Sequence, residues 1–131
     1  MDWLVDLHSI WRWLVLLAAV LAIALSALAA FGSRPWDNLA DRLSFFFTIA
    51  LDVQVLIGVV VWVLNQAWTR DAFIGFIHPV LMLAAVAVAH VGRARSERAT
   101  GDRSRGRVAL VFFVVSLVIV VLAIPTASWP L

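Results

Sequence analysis

IWRWLVLLAAVLAIALSALAAF, Ile10–Phe31, is a run of 22 residues with a single charge, Arg12. As a helix at 1.5 Å per residue it reaches about 33 Å, enough to cross the ~30 Å hydrocarbon core of a bilayer. GSRPWDNLADR, Gly32–Arg42, then breaks it with glycine, proline and mixed charge. The alternation of apolar run and polar break recurs along the chain. It predicts an all-α integral membrane protein with four transmembrane helices, over about 8–31, 43–65, 73–95 and 108–125. Short connections make these one up-down-up-down bundle and a single domain. Composition agrees: 64% of the 131 residues are hydrophobic and 14% charged. A mean hydropathy of +1.02 lies far outside what a water-soluble domain tolerates.

Charge sets the expected orientation. All ten basic residues are arginine, and eight of them, Arg34, Arg42, Arg93, Arg95, Arg98, Arg103, Arg105 and Arg107, flank the first and third breaks. Arg12 and Arg70 fall on the other side. The positive-inside rule then puts both chain ends on the periplasmic face of a bacterial inner membrane. Trp3, Trp68 and Trp129 are expected at the outer boundary and Trp36 at the inner one, as an aromatic belt. Asp2 and Asp6 precede the first run where a cleaved leader would carry basic residues, so the first span reads as retained. The net charge of +2 is too small for a nucleic-acid binder, and the arginine-rich stretch GRARSERATGDRSRGR, Gly92–Arg107, reads as a solvated anchor beside lipid.

The chain has no cysteine, which excludes disulfides and thiolate-held metals. It carries no phosphate-binding glycine loop, HExxH, CxxCH or nucleophile elbow, so a hydrolase is not expected. Chemistry must rest on a few polar residues inside the spans. His8 opens span one and His78 lies near the start of span three, both on the expected outer side. Pro79 disfavours a helical His78 and suits a first helical turn, so span three is expected to begin near Pro79 and to run past Gly92. Counted from their inner ends, His8 and His78 differ in depth by more than ~10 Å, which tilt or the longer span three must remove. Two neutral imidazoles from different helices suit the axial positions of one b-type haem. Arg12, at i+4 from His8, and Arg70 could then pair with its propionates. Interfacial, unligated histidines with a snorkelling Arg12 remain the other reading of the same residues.

A second group lies deeper: Asp52 and Gln54 in span two and His90 in span three. An ionisable residue at that depth needs a partner, and depth favours His90 over Arg12 for Asp52. The three are read as a proton or quinone site, or Asp52 as protonated glue between helices.

The stretches LHSIWRWLVLLAA, LDVQVLIGVVVW and IHPVLMLAAVAVAHVG resemble a family of small four-helix bacterial membrane proteins commonly labelled cytochrome b. The shared pattern is His-Ser-x-x-Arg-Trp, then a polar residue-x-Gln-x-x-x-Gly, then His-Pro-x-x-Met. The resemblance covers the first three spans and points to His8, Arg12, Gln54, Gly58, His78, Pro79 and Met82, with haem implied by the label. Asp52 stands where some relatives are expected to carry histidine. Three histidines cannot form two bis-histidine sites, so one haem is the most that paired ligation allows.

The expected function is therefore a membrane redox carrier: one haem b between helices 1 and 3, ligated by His8 and His78, with Arg12, Arg70 and Gly58 around it. It would exchange electrons with quinone or with membrane subunits of a respiratory or photosynthetic complex, rather than act as a stand-alone enzyme. The alternative is a cofactor-free accessory subunit of such a complex.

Overall fold

The computed structural model describes residues 2–125. Trp129, expected at the outer boundary, lies outside the described residues. Four helices account for most of the chain: α1 (Asp2–Ala30), α2 (Asn38–Leu64), α3 (His78–Arg98) and α4 (Asp102–Ala123). A 3-10 turn at Ala67–Thr69 and a π-helical turn at Phe73–Ile77 join α2 to α3. Among the described residues there is no strand, and four helices, the third counted from Phe73, are long and apolar enough to cross a membrane.

The helices extend beyond the apolar runs that announce them. α1 starts six residues before position 8, α2 five before 43 and α4 six before 108. Hydropathy marks only the part that must sit in hydrocarbon, whereas the backbone ladder continues wherever a cap allows. Asp37 caps α2: its Oδ1 accepts the Ala40 N–H at 3.0 Å and its Oδ2 accepts from Arg34 Nη2 at 2.7 Å. The Ala40 N–H, followed by the Arg34 guanidinium, holds the Asp37 carboxyl below the usual carboxylate range. The arginine-rich stretch Gly92–Arg107 is likewise helical at both ends, with only residues 99–101 between α3 and α4. Gly101, at φ +89, makes that reversal.

The helices pack in a ring. α3 and α4 share the most extensive interface, α1 lies against both α4 and α2, and α2 meets α3 more sparsely. Thus α1 stands diagonally across from α3, and α2 from α4. In the arginine-rich half, Phe47 of α2 and Phe113 of α4 are fully buried and meet edge to face at 5.2 Å. Small residues line the α1–α4 seam; a Cβ on Gly106 would come within 2.5 Å of the Ala30 nitrogen. Buried Ser116 donates from Oγ to the Ala85 carbonyl at 2.8 Å, tying α4 to α3. The outward faces are apolar, with Leu17, Leu56, Leu83 and Leu122 all exposed, consistent with a surrounding bilayer.

α3 starts at His78, beside the expected Pro79, but the entry differs from expectation in that His78 is itself helical and a π turn leads into it. His78 has helical dihedrals (φ −57, ψ −52), and its N–H reaches back five residues to the Phe73 carbonyl. Proline lacks an N–H and its ring clashes with the carbonyl four residues earlier, here that of Gly75. The wider π turn removes this conflict, and Trp62 Nε1 donates to the freed Gly75 carbonyl at 2.9 Å. Asp71 starts the segment by accepting the Ile74 N–H on Oδ1 at 2.8 Å.

Candidate functional site

Opposite the arginine-rich end the bundle opens into a cavity of about 650 Å³. Its walls include His8, Arg12, Gln54, Gly58, Arg70 and His78. Every residue that the sequence assigned to haem binding therefore borders one space. Met82 borders it too, with Val120 and Ile124 of the α4 end adding apolar wall.

The expected depth mismatch disappears because α3 runs on to Arg98. At 1.5 Å per residue His8 lies about 33 Å from Ala30, and His78 about 30 Å from Arg98. Their ring centroids are 6.2 Å apart with planes at 87°. Two imidazoles from different helices thus stand close enough to hold one group between them.

Hydrogen bonds set the tautomers. Nδ1 of His78 lies 2.7 Å from the Ala123 carbonyl, which can only accept, so Nδ1 carries the proton and Nε2 the lone pair. That carbonyl is available because Ala123 ends α4 and Pro125 follows. On His8, the Gln54 amide interacts with the ring. Gln54 Nε2 donates to the His8 main-chain carbonyl at 2.8 Å, while Gln54 Oε1 and His8 Nδ1 are buried without a completed hydrogen bond. Orientation of a ligating imidazole through its other nitrogen is the usual arrangement in metal sites. Gly58 makes room for the ring, since a Cβ there would meet His8 Cε1 at 3.0 Å.

The two arginines sit differently. Arg12, one turn deeper into α1 than His8, is buried at 8% exposure, with its guanidinium 5.4 Å from the Trp13 ring centre. Arg70 is exposed and anchored by Nε to the Asn65 carbonyl at 3.3 Å. Among the described residues no three of His, Asp and Glu converge as a metal-ion site.

The second predicted cluster divides. Asp52 and His90 do pair, with Oδ1 and Nε2 2.8 Å apart. They lie on the outer surface, with side chains 38% and 46% exposed. Gln54 faces the cavity instead, because residues two apart on a helix point roughly 200° from one another. Sequence reasoning also missed two indole bonds. Trp62 holds the π turn, and Trp11 Nε1 donates to the Ala50 carbonyl at 2.8 Å, linking α1 to α2.

The chain matches no protein-family model, no curated protein and no solved structure.

Proposed function

We propose that this protein holds one b-type haem between α1 and α3 and transfers electrons in a bacterial inner membrane, with His8 and His78 as the residues that would hold the iron. The observation that carries the reading is the pair of imidazoles 6.2 Å apart on diagonal helices, bordering one cavity. The residues fit the group. A cavity of about 650 Å³ lies within the range of cofactor sites, about 300–1,000 Å³. Ala123 O orients His78, the Gln54 amide holds the His8 backbone, and Gly58 leaves the ring its space. Exposed Arg70 at the rim and buried Arg12 in the cavity wall would supply guanidinium donors for the propionates. Met82, Val120 and Ile124 keep part of the wall apolar and dry. Such a group, when bound, takes up and releases one electron, and the protein's contribution is ligation, orientation and local polarity.

Eight arginines at the opposite end support, by the positive-inside rule, an orientation with the site and both chain ends on the periplasmic side. A quinone or a neighbouring membrane subunit is then the electron partner at that surface. The test is a reduced-minus-oxidised optical spectrum of protein purified in mild detergent, with haem measured per chain. One haem per chain is expected, lost in His8→Ala and His78→Ala and kept in His90→Ala. Folded protein that stays haem-free when expressed with excess haem would overturn the reading and leave a cofactor-free accessory subunit.

A further inference from the structure

Asp52 sits in the middle of α2, yet it points outward, toward where lipid would be. So does its hydrogen-bonded partner His90 on α3. Each occupies the exposed stripe of its helix, between apolar neighbours one and two turns away. On α2 these are Ile49, Leu56 and Val59; on α3 they are Leu83, Ala87 and Ala94. Asp52 and His90 are the polar interruptions of these stripes. Their mutual bond uses Nε2 and Oδ1, while His90 Nδ1 and Asp52 Oδ2 have no hydrogen-bond partner among the described residues. Polar atoms left unsatisfied in hydrocarbon cost free energy, and polar side chains at such depth hold transmembrane helices together.

We infer that the α2–α3 face is the contact between two copies of this chain, joined through Asp52 and His90. A two-fold axis along the bilayer normal returns every residue to its own depth, so the pair of one copy meets the pair of the other. The contact is self-complementary. With one shared proton, either His90 Nδ1–H donates to Asp52 Oδ2 of the second copy, or that Oδ2–H donates to Nδ1. In both cases a closed ring of four hydrogen bonds satisfies all four side chains. Ala87 and Ala94 let the second copy approach closely, as small residues do between membrane helices. A different protein would need a matching donor and acceptor at this depth; a second copy has them by symmetry. This inference does not depend on haem binding.

The absence of cysteine makes the test direct. Leu56→Cys, on the proposed contact, should form a disulfide-linked dimer under mild oxidation in phospholipid vesicles. Val115→Cys, exposed on α4 away from that face, should not. Energy transfer between labelled copies in the same vesicles should show association that weakens by roughly tenfold or more when Asp52→Leu and His90→Leu are combined, an apolar replacement that leaves no unpaired partner. A chain that stays monomeric at high protein-to-lipid ratio, equal linking through Val115→Cys, or unchanged association in the double variant would each overturn it.

Discussion

In the arginine-rich half of the bundle, Phe47 and Phe113 fill the centre edge to face and Gly106 draws α4 against α1. In the other half the same helices leave a cavity of about 650 Å³, walled in part by histidine, arginine and glutamine. Close packing is where a helical bundle gains its stability, since each buried side chain makes dispersion contacts and leaves no void. The open half forgoes those contacts and keeps buried polar atoms unsatisfied, at His8 Nδ1 and Gln54 Oε1. Buried unsatisfied atoms occur in the arginine-rich half too, at Arg34 Nε and Ser44 Oγ, so it is the cavity between the helices that distinguishes the two ends.

The separation of roles can be broken most sharply by removing a ligand. His78→Ala or His8→Ala should abolish the haem spectrum completely while far-ultraviolet circular dichroism stays helical; a retained signal in both variants would dissolve the distinction between the halves. Phe113→Ala should do the reverse. It should lower resistance to thermal unfolding in detergent by about 3–5 kcal/mol, with haem per folded chain unchanged. Gly58→Val probes the wall of the cavity. Its Cβ would approach His8 Cε1 at 3.0 Å, and overpacking of about 1–3 kcal/mol should weaken haem retention roughly tenfold, read by haem transfer to an acceptor protein. The smallest effect belongs to the Asp37 cap. Its carboxyl is held below the usual range in the folded chain, so its contribution is full above the unfolded value of about 3.9 and is lost as pH falls through the folded value. Asp37→Asn should keep the cap but remove that acid sensitivity, seen as a smaller drop in Tm between neutral and acidic buffer.

Much of this architecture is legible in the chain, and the reasons are physical. Hydrocarbon demands about 20 apolar residues per crossing, so the four helices announce themselves. Depth alone was enough to pair Asp52 with His90. Which way that pair faces was not legible, because a membrane helix is apolar on both its inner and outer sides and hydropathy carries no direction. The grouping of Gln54 with Asp52 shows a different lapse: the 100° step per residue already separates them, and the helix angle should have outweighed proximity in sequence. Trp11 and Trp62 are disguised by composition, since an indole reads as a boundary marker whether it sits in headgroups or donates to a carbonyl between helices. The π turn was hidden too. Pro79 signals a conflict with its preceding turn, but not whether the chain resolves it by ending the helix or by widening it.

The hydrogen bond from His78 to the carbonyl of Ala123 has a consequence for biogenesis. The imidazole on the third helix takes its orientation from the last residue of the fourth. Until α4 has inserted and packed, His78 Nδ1 lacks that carbonyl and its ring is free to turn. If the cavity takes up the proposed haem, ribosome-stalled chains that lack α4 should insert into the membrane without loading it.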